Sequence, residues 1–283
     1  DDEPIRDKYH NAIMWLPLNE SVTDLNTAPT YTVYNPSAGT SGSVTVGSSV
    51  RTDIDGQSGY APIFVNNSNG TLTVPNGTNS TFEDLTEFTL VLHATFATAD
   101  AGSRAGLIKY INAASDTATN NFILEKNTSD KIVCQLGSGV DITGTTTVTC
   151  DGEVPTSIIV TFNSGSADTI KAKLFVDGTL VGTSTGTTIA TNTNGLHIGG
   201  IYAASRPVMQ GRMEEIVLYN KEYKVVNSAN SYTYNTQNIL DIVGGENVSQ
   251  NARLFVADYH NFRGNSPQEI GMSNQVSWRA TTV

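Results

Sequence analysis

The chain has 283 residues, a formal net charge of −11 and only 15% charged residues. This length is sufficient for one large β domain, or two ordinary domains, with a real hydrophobic core. With 16 Lys and Arg residues, such an acidic chain is a poor candidate for binding nucleic acid or an anionic membrane. The 37 Thr residues instead favour β-sheet over helix, because β-branched side chains fit strands better.

The sequence starts at Asp1 without an initiator Met, and we expect that an upstream segment was removed, a cleaved signal peptide being one option. No run of the sequence reaches the roughly 18 apolar residues that a transmembrane helix needs. We expect an extracellular, cell-surface or virion-surface location, without membrane insertion.

Alternating apolar and polar residues predict short β-strands along the whole chain. The clearest case is FTLVLHATF, in which Phe88, Leu90 and Phe96 share one face while Thr89 and His93 share the other. We expect the first face to line the core and the Thr-bearing face to meet solvent. The other predicted strands, in chain order, are NAIMWLPL, GYAPIFV, TLTVP, AGLIKYI, NFILEK, KIVCQLG, TTTVTC, TSIIVTF, GLHIGG, MEEIVLYN and ARLFVADYH.

Two further elements complete the prediction. IKAKLFVDGTLVGT predicts a hairpin with Asp177-Gly178 as a type I′ turn, because both central residues of that turn need a positive φ. One short helix is predicted in residues 222–234. Many short strands with regularly spaced turns predict an all-β fold, a two-sheet antiparallel jelly-roll sandwich.

The two cysteines lie in neighbouring predicted strands that are separated by turn residues. Cys134 and Cys150 could therefore face each other across a hairpin and form a disulfide bond in an exported protein. Two buried free thiols are the alternative. Two cysteines alone are too few for a closed zinc site.

The composition changes towards the C-terminus. Only four of the 37 Thr residues lie beyond residue 200, where arginines and aromatic residues appear instead. We expect a jelly-roll domain over residues 1–224 and a C-terminal extension, residues 225–283, that packs on the same domain; a small separate element is the alternative. The extension is also a possible assembly arm that joins copies of the chain or another structural protein, through Arg253, Tyr259, Arg263 and Trp278.

Several segments, in the right order, resemble a laminin-G-type domain of the concanavalin A-like lectin/glucanase fold. They cover about residues 12–224 and are MWLPLNESVTDLN, LTEFTLVLHATF, PTSIIVTFNSG, LFVDGTLVG, GLHIGG and QGRMEEIVLYNKEY. The resemblance implies two curved antiparallel sheets of five to seven strands, packed face to face, and it makes calcium a possible cofactor. The C-terminal tail resembles, more loosely, the tails of phage and other viral structural proteins.

Two groups of residues are candidate binding sites. Asp53 and Asp55 in RTDIDGQSG could ligate calcium, an ordinary Asp- and Gly-rich turn being the alternative. Sugar sites in such folds combine an aromatic platform with polar groups on loops at a sheet rim. Tyr202 and Arg206 in the loop IYAASRP, together with Tyr60, fit that description; rim packing and water contact are the alternative.

The sequence lacks the carboxylate pattern of a glycosidase of this fold, which carries E-x-D-x-x-E or E-x-D-x-E on one strand. Glu214 and Glu215 are adjacent, so they point to opposite faces of a strand. We therefore predict a non-catalytic recognition or adhesion module that binds a glycan or a cell-surface receptor. The alternative is a structural subunit of a virion (decoration, fibre or capsid-associated protein) or of a cell-surface filament; a glycoside hydrolase is a third possibility.

Overall fold

The computed structural model describes residues 12–18, 29–56, 59–75, 85–110, 122–137, 141–187, 196–200, 207–223, 225–228 and 231–234. Its regular structure is almost entirely β, as predicted, with one short 3-10 turn at Thr98–Asp100. The strands are β1 (Ala12–Leu16), β2 (Tyr31–Asn35), β3 (Thr40–Val46), β4 (Arg51–Gly56), β5 (Gly59–Phe64), β6 (Leu72–Val74), β7 (Glu87–Phe96), β8 (Ala105–Tyr110), β9 (Phe122–Lys126), β10 (Lys131–Leu136), β11 (Asp141–Thr147), β12 (Thr156–Asn163), β13 (Ala172–Val176), β14 (Thr179–Ser184), β15 (Leu196–Ile198), β16 (Gly211–Tyr219), β17 (Val225–Ser228) and β18 (Ser231–Tyr234).

The strands form two antiparallel sheets that share β3. The first sheet has the order β14-β13-β12-β7-β16-β1-β2-β3, and the β4–β5 hairpin also pairs with β16. The second sheet has the order β11-β10-β9-β8-β15-β6-β3. β3 turns the corner between them, because Val44 pairs with β2 while Thr45 pairs with β6.

The core lies between the two sheets. Phe88 of β7 packs edge-on against Phe122 of β9, with 6.1 Å between the ring centroids, so residues of opposite sheets touch. Phe88, Leu90 and Phe96 are fully buried, which confirms the inner face predicted for this strand. The expectation that the other face meets solvent is wrong, since Thr89 is 0% exposed. Backbone atoms of residues after β16 cover its hydroxyl group.

The predicted hairpin between β13 and β14 is confirmed. Asp177 has a φ of 49° and Gly178 a φ of 76°, which is the positive pair that a type I′ turn needs. The carboxylate of Asp177 also accepts a hydrogen bond of 2.8 Å from the backbone N–H of Ser157 on β12. This bond ties the turn to the neighbouring strand.

The predicted disulfide bond is wrong, because Cys134 and Cys150 are both free thiols. Cys134 pairs with Ile142 in the middle of the β10–β11 hairpin. Cys150 lies beyond the end of β11, where its Sγ is 3.9 Å from Oδ1 of Asp130. At about 3.3 Å per residue, the four residues from Asp130 to Cys134 separate the two sulfur positions by roughly 13 Å, whereas a disulfide needs Cα atoms within about 7 Å.

The predicted helix in residues 222–234 is also wrong. This segment instead contains the strands β17 and β18, which pair antiparallel with Ser228 opposite Ser231. The consecutive Val225 and Val226 and the alternating tyrosines favour a strand, because β-branched and aromatic residues lose side-chain freedom in a helix. The strands β2, β3 and β4 were not predicted. Gly and Ser dilute the alternating pattern of β3, and Asp and Gly dilute that of β4.

Some predictions fall outside the described residues. Arg253, Tyr259, Arg263 and Trp278 lie beyond residue 234, so the assembly arm and the boundary at residue 224 stay predictions. In the part of the chain that the structure covers, no helix is long and apolar enough to cross a membrane.

Candidate functional site

A row of mostly polar side chains crosses the outer face of the second sheet. Each of its residues is the register partner of the next, one from every strand of the sheet. The row, called the polar row below, consists of Asp141, Gln135, Ile123, Lys109, His197, Thr73 and Thr45. Adjacent residues such as Leu124 and Leu196 belong to the core, so the polar row lies on the opposite, outer face.

The centre of the polar row offers both hydrogen-bond donors and acceptors. Nδ1 of His197 is 3.3 Å from the hydroxyl of Thr73, and Lys109, the other strand neighbour of His197, is only 3% exposed. Burial, and then the charge of Lys109, lower the pKa of His197. The imidazole is therefore neutral at pH 7, with one nitrogen that donates and one that accepts.

Two polar pairs extend this surface over β9, β10 and β11. Arg104 donates to Oε1 of Glu125 at 3.0 Å, and Glu125 lies two residues from Ile123 on the same face of β9. Gln135 is 3.4 Å from Oδ2 of Asp141 at the edge strand. The polar row and the Arg104–Glu125 pair together are called the polar face. Ile123, Lys109 and Glu125 in it are at most 3% exposed, so a ligand rich in hydroxyl groups would reach the more exposed groups of Arg104, Gln135 and Asp141.

Beneath the polar face, the ammonium group of Lys126 sits in a cage of oxygen atoms. Lys126 is 0% exposed and points away from its neighbour Glu125, to the inner side of β9. Its Nζ donates to the carbonyl oxygens of Asp100 at 2.6 Å and Ser103 at 2.7 Å, and to Oδ1 of Asp130 at 2.6 Å. These three short bonds use all three protons of the ammonium group and hold the segment before β8 against the turn after β9.

Two carboxylates next to this cage have shifted pKa values. Burial raises the pKa of Asp100 to about 7, although the backbone N–H of Gln210 and the charge of Lys126 act against the rise. Burial alone would raise the pKa of Asp130, but its hydrogen bond with Lys126 and the N–H of Gly102 lower it. Asp100 therefore gains a proton near neutral pH, whereas Asp130 stays ionised.

The loop predicted to bind sugar is anchored beside the polar face. β15 is followed by Gly199 and Gly200, with φ values of 84° and 95° that favour glycine. A Cβ atom on Gly200 would lie 2.8 Å from the Cα of Gly106 in β8, so the two backbones touch. The N–H of Gly106 donates to the carbonyl of Pro207 at 3.0 Å, which fixes the point where the loop returns.

The predicted residues of that loop, Tyr202 and Arg206, lie outside the described residues. Tyr60 is on β5, and Asp53 and Asp55 are on β4, in the hairpin attached to the first sheet. The structure therefore does not join Tyr60 to the polar row. No group of three or more His, Cys, Asp or Glu residues suited to a metal ion is found within the described ranges, and the calcium site stays a prediction.

The polar row was missed by sequence reasoning, because its members come from seven strands, and β8, β15, β6 and β3 become neighbours only in the folded chain. A usable signal existed, since Lys109 and His197 are the charged or titratable residues at outward positions of AGLIKYI and GLHIGG. Glu214 and Glu215 lie outside this face, in a β-bulge of β16 in the first sheet. Glu215 accepts a hydrogen bond from the indole of Trp15 at 3.1 Å.

The sequence pattern of one family, described as the concanavalin A-like lectin/glucanases superfamily, matches residues 66–225. The chain belongs to this superfamily. The match spans β6 to β16 and both sheets, and it confirms the laminin-G-type resemblance. Five of the six resembling segments lie within it, and MWLPLNESVTDLN lies before it. No curated protein matches the sequence.

Solved structures show the same lectin-like fold at low sequence identity. The binding domain of Paraclostridial Mosquitocidal Protein 1 has a TM-score of 0.56 at 13% identity, over 77% of this chain and 50% of that one. A Trypanosoma rangeli sialidase has a TM-score of 0.53 at 13% identity, over 90% of this chain and 34% of that one. The chain thus spans half or less of these two proteins.

Proposed function

We propose that this protein is a non-catalytic recognition module that binds a glycan on the polar face of its second sheet. The polar row is the observation that carries the proposal. It presents hydroxyl, amide, imidazole and carboxylate groups at the spacing of neighbouring strands, about 4.8 Å, which is close to the length of one sugar unit. Such a module would act outside the cell, at a cell surface or on a virion.

The charges of the polar face favour a neutral glycan. Lys109 and Arg104 are balanced by Glu125 and Asp141, and Arg104 and Glu125 already form an ion pair of 3.0 Å. The chain as a whole carries a net charge of −11. A sialylated or sulfated glycan would therefore meet overall repulsion without a compensating excess of positive groups on this surface.

The absence of catalysis is part of the proposal. Glycoside hydrolysis needs two carboxyl groups about 5–9.5 Å apart. Glu125 and Asp141 lie two strands and two residues apart on the polar face, which places them about 12 Å from one another. Glu125 is moreover engaged by Arg104, so neither carboxylate is arranged to act with the other on one glycosidic bond.

The proposal is tested with a glycan array followed by calorimetry of the best ligand. We expect neutral glycans among the hits, and a weaker affinity by about tenfold, or ~1.4 kcal/mol, for Gln135→Ala or Arg104→Ala. Lys173→Ala, on the outer face of the first sheet, is the matched control and should bind as the wild type does. The same titration with EDTA tests whether calcium, the possible cofactor, contributes to binding.

Two results would overturn the proposal. One is an array without any glycan hit. The other is a glycan whose affinity is unchanged by both polar-face variants. Release of sugar from any bound glycan would contradict the non-catalytic part alone.

A further inference from the structure

The outer face of the first sheet carries a row of apolar side chains that crosses six strands. Each residue is the register partner of the next, from β13 to β2. This apolar row consists of Phe175, Ile159, Val91, Val217, Trp15 and Tyr34. It lies opposite the core, because the alternate residues Ile158 and Leu90 belong to the core cluster.

Side chains in and beside the apolar row are buried although they are on an outer face. Ile159 is 3% exposed and Phe175 1%, and the polar Thr161 and Ser157 are 1% and 4% exposed. In a sandwich of two layers, the outer face of a sheet is in contact with water. Other parts of the chain therefore lie over these positions of the first sheet as a third layer, as they also do over Ile123 and Lys109 of the second sheet.

The beginning of this third layer is visible directly after β16. Residues 221–223, called the strap, turn back over the outer face. The hydroxyl of Thr89 donates to the carbonyl of Lys221 and accepts from the N–H of Tyr223, both at 2.9 Å. Glu222 forms an ion pair of 3.0 Å with Lys173 of β13. The strap thus runs over β7 towards β13, and its Tyr223 packs in one cluster with Val217, Val91 and Trp15 of the apolar row.

The chain beyond the strap continues in the same direction. The strands β17 and β18 follow it, and β18 lies next to β14, the edge strand beside β13. Residues 235–283 then remain, and they include ARLFVADYH, an alternating segment of nine residues. An extended strand of that length spans about 30 Å, whereas six strands span about 24 Å, so this segment is long enough to cross the whole row.

We infer that residues 235–283 pack on the apolar row of their own domain and form its third layer. The C-terminal extension is then an internal cover of the first sheet. The inference is independent of glycan binding, which concerns the other sheet.

Photo-crosslinking of the full chain tests this inference. A benzoylphenylalanine at position 91 should crosslink to residues 235–283 within a single chain, detected by mass spectrometry of the monomer band. The same group at position 135, on the polar face, is the matched control and should give no crosslink to that segment. Crosslinks from position 91 that occur only between two chains would assign the row to an interface between copies and overturn the inference. Absence of any crosslink to residues 235–283 would overturn it as well.

Substitutions within the extension provide a second test that leaves the sandwich intact. Phe255→Asp and Val256→Asp, on the two faces of the predicted strand, should together expose the apolar row. We expect a several-fold rise in bis-ANS fluorescence and a lower Tm, with glycan binding unchanged. Asn251→Asp adds a charge just before the strand and should change neither quantity. Fluorescence and Tm equal to those of the wild type in the double variant would contradict a packed extension.

Discussion

The two sheets of this protein have similar inner faces and opposite outer faces. Their inner residues, such as Phe88 and Phe122, form one apolar core. On the outside, the first sheet carries Ile159 and Val217 in its apolar row, whereas the second sheet carries Lys109 in the corresponding central position of its polar row. The inner pattern therefore explains the fold, and the outer pattern distinguishes a sheet with an apolar row from a sheet with the polar row that carries the proposed glycan site.

The same contrast applies to buried charge. The strap places a single ion pair, Lys173–Glu222, over the first sheet. In the second sheet, by contrast, the fully buried Lys126 of β9 makes three short hydrogen bonds. A buried charge is costly unless it is paired and hydrogen-bonded, so this cage is an ordered support for the segments next to the polar face.

The largest effect is expected from Lys126→Met, which empties the cage beneath the second sheet. Removing a buried charge from its partners costs about 3–5 kcal/mol, because the oxygens of Asp100, Ser103 and Asp130 lose their donor. The free energy of unfolding in urea measures this loss. Lys131→Met, in the strand that follows the same turn, is the control and should change it by less than about 0.5 kcal/mol. Equal effects of the two variants would show that the cage does not support the second sheet.

The second effect concerns pH and the carboxyl group of Asp100. Its pKa of about 7 in the folded state lies above the ordinary value of 3.8 for an Asp carboxyl group. Between these pH values the folded chain keeps a proton that the unfolded chain has lost, so this group's contribution to stability decreases as the pH rises from about 4 to about 7. Asp100→Asn keeps an acceptor for Gln210 but cannot titrate, and should remove roughly 2–4 kcal/mol of this pH dependence. Parallel curves of unfolding free energy against pH for wild type and variant would contradict the assigned protonation.

A matched pair of substitutions separates the two outer faces directly. Val91→Asn in the apolar row should lower the unfolding free energy by about 1–2 kcal/mol, because an apolar contact is replaced by a polar group. Its affinity for glycan should be unchanged. Gln135→Ala in the polar row should leave stability within about 0.5 kcal/mol and weaken glycan binding. Thermal unfolding measures the stability of both variants, and calorimetry measures their affinity for glycan. A variant that loses both stability and affinity would contradict the separate roles of the two outer faces.

The smallest effect concerns the two thiols, which lie in different surroundings of the same sheet. Dithiothreitol should leave the Tm within about 1 °C, whereas breaking a native disulfide typically costs about 2–5 kcal/mol. Thiol titration of the denatured chain should find both Cys134 and Cys150 reactive, and the variant Cys150→Ser should show one. In the folded chain Cys150 should react slowly at pH 8, because burial raises its pKa to about 11. A large fall in Tm on reduction would contradict the two free thiols and support the predicted disulfide bond.

Several local features were predictable from the sequence. The alternation in FTLVLHATF identified the inner face of β7, since period two assigns neighbouring residues to opposite faces of a strand. Asp177-Gly178 identified a tight turn from its need for positive φ. The prediction of a helix in residues 222–234 was wrong because the apolar pattern of this segment is weak. The prediction of a disulfide bond was wrong because the spacing of two cysteines in the sequence does not give the register between the strands of a hairpin.

The candidate site was predictable only in part. GLHIGG correctly marked the end of β15, from which the loop with Tyr202 and Arg206 departs. The polar row could not be found in the same way, because β8 and β15 become neighbours through pairing across almost 90 residues of chain. The apolar row could not be predicted from the sequence for the same reason. Within their own strands, Val91, Ile159 and Val217 are single apolar residues at positions where an alternating strand would carry a polar one.

The residue pattern alone determines the class of this protein: polar, weakly charged strands with one apolar face each, joined by turns, assemble as a lectin-like sandwich. Alternation is a local property, and it decides which side chains leave water. The tertiary structure decides the register between strands, and with it the two outer rows and the Lys126 cage. Register depends on contacts between residues far apart in the chain, which is why the contrast between the two outer rows appears only in the folded molecule.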